Sequence, residues 1–261
     1  MTSRAATTPA GSTALITGAT AGIGAEFARQ LAEEGHSVVL VARDATRLQA
    51  KAEELEKRYG IRAEVLAADL ADDGGVAAVV ARLKDPARPV EILVNNAGMG
   101  LLRSFAENEI AEEKKHLKLH VETAMELSHA ALQGMLARQS GRIINVASVA
   151  AFLPRGTYSA AKAWLLSFSR SANMAYAARG VKVTAVCPGF THTEFHDRMG
   201  MDKTVTPRWM WLDARQVVSE GLADNAKGKA ASIPSKRYKV LTSVSRVLPS
   251  RLVAGPPRRA K

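Results

Sequence analysis

The 261-residue chain reads as a doubly wound α/β fold, a single domain built on one parallel sheet of about seven strands covered by helices on both faces. Short apolar, β-branched runs alternate with longer segments of helical period, and most connections between them are short. Neither an internal repeat nor a low-complexity linker divides the chain.

A small, polar opening, residues 1–12, reads as a flexible segment, and the domain is expected over 13–252 with a basic tail over 253–261. The first strand is predicted at Thr13–Thr17, and its glycine-rich turn leads into a helix over Gly22–Glu34. The apolar run Ser37–Ala42 gives the second strand, and Asp44 stands where it can cap a helix over Ala45–Tyr59. Arg62–Ala67 is the third strand, followed by a helix over Asp72–Lys84. The fourth, Glu91–Val94, precedes a long helical stretch over Glu109–Arg138. Gly141–Ala147 is the fifth strand and Thr157–Arg179 its helix; Val181–Val186 is the sixth. A long segment, Gly189–Leu212, carries Met, Trp and Pro before a helix over Asp213–Asn225 and a last strand at Lys229–Ile233. A connection of that length in a compact domain is usually functional, often a lid.

With 47% hydrophobic and 23% charged residues the chain can bury a full core without metals or disulfides, which excludes disordered and collagen-like classes. The single cysteine, Cys187, cannot form an internal disulfide, and the opening residues lack a signal-peptide apolar stretch, so a cytoplasmic location is expected. No run approaches the ~18 uninterrupted apolar residues of a membrane span. The net charge is +11, and residues 201–261 alone hold 13 Lys and Arg against 4 Asp and Glu. Such a basic end can attract nucleic acid, an anionic membrane or a phosphorylated substrate, but a solvated charged surface accounts for it and no nucleic-acid partner is expected.

Thr17-Gly18-Ala19-Thr20-Ala21-Gly22-Ile23-Gly24 sits between the first strand and first helix. Three glycines let such a turn tighten and a pyrophosphate approach the backbone, while the helix amino end offers unpaired N–H groups and a positive dipole. Asp69-Leu70 ends the third strand, Asn95-Asn96-Ala97-Gly98 the fourth and Pro188-Gly189 the sixth. On these motifs the sequence resembles the short-chain dehydrogenase/reductase family, from about Thr13 to Ile233.

The resemblance implies a Rossmann-type nicotinamide-cofactor site that includes Gly18, Thr20, Gly22, Ile23 and Gly24 at the phosphates. Asp69 and Leu70 would lie at adenine, with Asn95, Ala97, Gly98, Pro188, Gly189 and Thr193 further along. Where an NAD-selecting aspartate stands in the family this chain has Ala42, and the next residue, Arg43, can pair with a 2′-phosphate, so NADP is expected rather than NAD.

Tyr158 and Lys162 are four residues apart and share one helical face. A phenol is a poor base at neutral pH, but a nearby ammonium and an oxidised nicotinamide favour phenolate. Ser148 follows an apolar strand and can face the same crevice. In the resembling family the serine holds the substrate oxygen, the tyrosine moves the proton, and the lysine anchors the nicotinamide ribose and lowers the tyrosine pKa. The implied activity is hydride exchange between NADP and a carbonyl or secondary alcohol. Family resemblance also implies a homodimer or homotetramer, paired through the helices bearing His120 and Tyr158.

One position departs from the family. His120 stands where an asparagine commonly holds a relay water, which makes it a candidate fourth catalytic member whose charge would vary near neutral pH. The same replacement motivates a rival reading, a catalytically weak NADP-sensing or scaffold protein that keeps the fold. The pairs His116 with His120 and His192 with His196 lack a completing ligand set, so no metal is expected.

Phe190, Phe195, Met199, Met201, Trp209, Met210, Trp211 and Leu212 give the substrate side an apolar character suited to an acyl, steroid-like or terpenoid compound. The same residues also suit packing beneath a lid. Tyr238, Leu241, Val244, Val247, Leu248 and Leu252 recur at helical spacing among Lys239, Arg246 and Arg251. Such a helix can lie on an anionic membrane, cover the pocket or pack on another subunit, and packing is the expected role.

Overall fold

In the computed structural model, which describes residues 11–101, 103–195 and 206–247, each predicted strand forms. They are β1 (Thr13–Thr17), β2 (Ser37–Ala42), β3 (Ala63–Ala67), β4 (Ile92–Asn95), β5 (Gly141–Val146), β6 (Val181–Val186) and β7 (Ala231–Ser232). All neighbours are parallel, in the order β3-β2-β1-β4-β5-β6-β7. The chain winds outward from β1 in one direction and then, from β4, in the other. That reversal opens a crevice at the carboxyl ends of β1 and β4.

The helices are α1 (Gly22–Glu33), α2 (Ala45–Tyr59), α3 (Asp73–Lys84), α4 (Ile110–Leu117), α5 (Thr123–Ala137), α6 (Gly156–Tyr176), α7 (Ala214–Ala226) and α8 (Lys236–Val247). Side chains alternate along each strand, so both sheet faces are apolar. Ile16 and Leu40 pack with Phe27 and Leu31 of α1, Leu48 of α2 and Val217 of α7. Leu15 and Val39 point the other way, toward Val79 of α3, Leu127 and Met135 of α5 and Ala172 of α6. Each fully buried Leu, Ile or Phe contributes roughly 1.5–3 kcal/mol relative to exposure. Asp44 caps α2 by accepting from the Arg47 amide at 3.0 Å.

Two elements depart most from the sequence expectation. The stretch expected as one helix over Glu109–Arg138 is interrupted by a single π turn at Lys118–Glu122. That turn buries His120 against the Met99 backbone, a tie 21 residues away in sequence that no local periodicity reports. β7 is shorter than expected and pairs only Ala231 and Ser232 with Ala185 and Val186, since Pro234 has no N–H to extend the ladder. The long segment after β6 is pinned at both ends: Thr191 bridges Leu212, and the Leu212 amide donates to the Phe190 carbonyl at 2.7 Å.

Residues 1–10, His196, Met199, Met201, Leu248, Arg251, Leu252 and the tail 253–261 lie outside the described residues, as do the side chains of Arg246 and Val247. Among the described residues no helix is long and apolar enough to cross a membrane.

Candidate active site

The turn from β1 into α1 leaves no room for side chains. Gly18 has φ +67° and Gly22 φ +55°, and a Cβ on Gly24 would come within 2.2 Å of the Gly18 carbonyl oxygen. Asn96 holds the turn from the opposite strand, donating from Nδ2 to the Thr17 carbonyl at 2.9 Å, while Thr17 Oγ1 accepts from the amides of Asn96 and Ala97, both at 2.9 Å. Ala21, before the first turn of α1, offers no side-chain cap. Backbone N–H groups at an uncapped helix start, next to glycines that admit close approach, suit the phosphates of a dinucleotide. Thr193 lies over this turn, since a Cβ on Gly22 would meet its Cβ at 3.0 Å.

The end of β2 carries two arginines. Arg43 is exposed and engaged by no described residue. Arg47, one helical turn on, donates to the Thr20 carbonyl at 3.2 Å and pairs with Glu194 at 3.0 Å, joining α2, the glycine turn and the segment after β6. No sequence motif marks Arg47. Its signal is position: the first turn of the helix after β2 shares the strand's edge of the crevice.

Other predicted contacts separate into two groups. Ala97, Gly98, Pro188 and Gly189 border the crevice through backbone at the ends of β4 and β6. Asp69 accepts from the Ala71 amide at 3.0 Å, and buried Leu70 accepts from Thr123 Oγ1 at 2.9 Å. The Asn95 side chain is turned inside, donating to Asn145 Oδ1 at 2.9 Å and Ser128 Oγ at 3.0 Å. It ties β4 to β5 and α5.

Ser148 follows β5 and accepts from the Ala150 amide at 3.1 Å, capping the short turn Val149–Phe152. Tyr158 stands in the first turn of α6 and hydrogen-bonds Ser148. Lys162 is buried one turn further on and donates to the Val146 carbonyl at 2.7 Å; its Nζ is 5.7 Å from the Tyr158 ring centre. The three side chains that the sequence reading grouped are therefore neighbours.

Burial pushes the Tyr158 phenol up to about 12, an effect the hydrogen bond with Ser148 offsets in part. Burial also lowers Lys162 to about 7. Desolvation is thus the larger of the two influences on the phenol.

His120 is buried, with Nε2 lying 2.7 Å from the Met99 carbonyl oxygen and 3.1 Å from its amide nitrogen. Its ring is 5.7 Å from that of Tyr158 in an edge-on arrangement and 4.4 Å from that of His116. The charge variation expected near neutral pH does not occur: burial, and then the charges of Lys162 and His116, hold this imidazole neutral well below its usual range. A cavity of about 10 Å³, about the size of one water, is lined by Thr17, Asn95, His120 and Lys162 among others. Asn95 Oδ1 and His120 Nδ1 are buried without hydrogen-bond partners among the described residues. Among the described residues no cluster of three or more His, Cys, Asp or Glu is placed to hold a metal ion.

On the far side of Tyr158 stands Phe195, ring centres 6.2 Å apart. His192 stacks on Trp211 at 4.8 Å, and Trp211 and Leu212 are buried, while Trp209 is exposed. This part of the segment therefore divides between a wall beside the phenol and packing beneath it.

A doubly wound sheet with a glycine phosphate turn and a Ser-Tyr-Lys group at its strand ends defines a class of nucleotide-dependent oxidoreductases. The short chain dehydrogenase profile matches residues 12–204. Ketoacyl reductase HetN of Nostoc sp. is 30% identical over 248 residues, covering 93% of this chain and 84% of that protein. A short-chain dehydrogenase from Sphingobium yanoikuyae, solved in complex with NADPH, superposes with a TM-score of 0.82 at 34% identity, covering 90% of this chain and 94% of that one. The bulky-bulky ketone specific alcohol dehydrogenase of Comamonas testosteroni superposes at 0.77 with 30% identity, covering 90% and 92% of the two chains. The chain belongs to the short-chain dehydrogenase family.

Proposed function

We propose that this protein is an NADP-dependent oxidoreductase that interconverts an apolar ketone and its secondary alcohol, with Ser148, Tyr158 and Lys162 at the reacting end and His120 as a fourth member. The observation that carries this reading is the convergence of three side chains at the strand ends: Ser148 after β5, Tyr158 in the first turn of α6, and buried Lys162 one turn further on with its Nζ 5.7 Å from the Tyr158 ring centre.

NADP supplies or accepts the hydride when bound. Gly18, Thr20, Gly22, Ile23 and Gly24 would hold its phosphates, with Thr193 above them; Arg43 and Arg47 would meet the additional phosphate that distinguishes NADP from NAD. Asp69 and Leu70 border the adenine side. Backbone at Asn95, Ala97, Gly98, Pro188 and Gly189 borders the remainder. The NADPH held by the Sphingobium relative supports the cofactor choice.

In reduction, Ser148 donates a hydrogen bond to the carbonyl oxygen and Tyr158 gives that oxygen its proton as negative charge develops. A phenol, which can give and regain one proton, is suited to this role. Lys162 Nζ, tied to the Val146 carbonyl, fixes the electrostatic surroundings of the phenol. His120, neutral, borders the small cavity shared with Lys162, and a water there would join the two side chains. In oxidation the same groups work in reverse, with Tyr158 taking the proton.

Phe195 beside the phenol and the bulky-ketone specificity of the Comamonas relative support a large apolar substrate. The exposed Leu117 on α4, Met125 on α5 and Met174 on α6 support pairing of two copies through these helices. The buried thiol of Cys187, outside any disulfide, suits the cytoplasm. The scaffold reading has less support, because the three reacting groups are assembled rather than dispersed. NADPH consumption over a panel of bulky ketones, aldehydes, quinones and acyl thioesters tests the proposal. Turnover is expected on at least one bulky ketone; tight NADPH binding with no turnover on any member would favour the scaffold reading.

A further inference from the structure

We propose that the outward face of α8 docks the protein on an anionic lipid surface. α8 has two unlike sides. Inward, Tyr238 and Thr242, one turn apart, are only 3% and 4% exposed. The Tyr238 ring fills the space beside Gly189, where a Cβ would come within 2.0 Å of it. Its hydroxyl accepts from the Phe190 amide at 3.1 Å and donates to the Met210 carbonyl at 2.7 Å. Outward, Val240 is 62% exposed, Leu241 43% and Val244 45%, and Val244 stands three and four residues from the other two, so they form one apolar strip. Lys236 and Arg237 adjoin that strip and are exposed, while Lys239 pairs with Glu220 of α7 at 3.6 Å. From 236 to 261 the sequence holds eight Lys and Arg and no Asp or Glu.

The charge chooses the occupant. A second copy meeting this face about a two-fold axis would set the strip's Lys and Arg against the same residues of its mate, with no carboxylate in the segment to pair with them. Nucleic acid would use the cations and gain little from three aliphatic side chains. An anionic bilayer uses both: Val240, Leu241 and Val244 enter the boundary between headgroups and acyl chains, and the cations meet the headgroups. Each basic residue near such a surface is worth about a fivefold gain in partitioning. Because Tyr238 ties α8 to Phe190 and Met210, docking would hold the substrate segment near the lipid, where apolar ketones dissolve. That last consequence rests on the apolar-substrate reading; docking does not.

The test is sedimentation of the full-length protein with phosphatidylcholine vesicles, with and without phosphatidylserine, at low and raised salt. Binding is expected only with phosphatidylserine and weaker at raised salt. The pair Val240→Ser and Val244→Ser should reduce partitioning about tenfold. The pair Lys236→Gln and Arg237→Gln should reduce it about twentyfold. Circular dichroism and NADPH turnover on a water-soluble ketone should not change in either variant. Equal binding to both vesicle types, no binding to either, or undiminished binding by both variants overturns the proposal. So does a valine variant that loses self-association in ultracentrifugation while the parent ignores vesicles, which assigns the face to a second copy. Salt-sensitive binding to duplex DNA without vesicle binding overturns it in favour of nucleic acid. Vesicle binding without ketone turnover leaves docking standing and removes only the apolar-substrate reading.

Discussion

His120 Nε2 stands 2.7 Å from the carbonyl oxygen of Met99 and 3.1 Å from its amide nitrogen, so one ring nitrogen faces an acceptor and a donor at once. A neutral imidazole can serve only one of them, according to which nitrogen carries the proton. Held neutral by burial, His120 is a two-tautomer element at the π turn, packed edge-on to the Tyr158 ring.

An asparagine at this place carries a donor and an acceptor on separate atoms. His120→Asn is therefore expected to keep turnover within about tenfold, while His120→Phe, which removes the one hydrogen bond the imidazole makes to Met99, should cost about 1–3 kcal/mol in stability. Urea unfolding and steady-state kinetics on both variants check this. The pH profile around the usual histidine value of 6.5 should be the same in the parent and in His120→Asn, since the native imidazole does not titrate there. An inflection that the asparagine removes would show a charged His120.

Lys162 makes stability depend on pH in a definite direction. Burial lowers its pKa from 10.5 to about 7, so between those values the unfolded chain binds more protons than the folded one. Stability should rise with pH across that window, by at most about 1.4 kcal/mol per pH unit from this group. Lys162→Met should flatten the rise. Urea midpoints at the two ends of the window measure it, and an equal slope in the variant would contradict the assignment.

Arg43 and Arg47 should set cofactor choice. An arginine paired with a phosphate contributes about 1.5–3 kcal/mol, so Arg43→Ala is expected to weaken NADPH binding about tenfold or more and to leave NADH nearly unchanged. Arg47→Ala should weaken both, because Arg47 also holds the Thr20 carbonyl and Glu194. Titration by nucleotide fluorescence checks both variants. Equal losses of the two nucleotides on removing Arg43 would contradict its role.

Much of this was legible in the sequence where local chemistry decides the outcome. β1, β2, β6 and α2 lie at their expected bounds, because alternation, glycine turns and the Asp44 cap are local signals. The juxtaposition of Tyr158, Lys162 and Ser148 was legible from a four-residue spacing and a strand end. What depends on distant partners was not. The π turn at His120 answers to Met99, Arg47 acquires its place from Glu194, and β7 stops where a proline lacks its donor.

The central claim is that the Tyr158 hydroxyl carries the proton. Tyr158→Phe removes that one oxygen and keeps the ring, so NADPH should bind within about twofold of the parent while kcat falls about 100- to 10,000-fold. Turnover retained within tenfold, on a ketone that the parent reduces, would place the proton on another group.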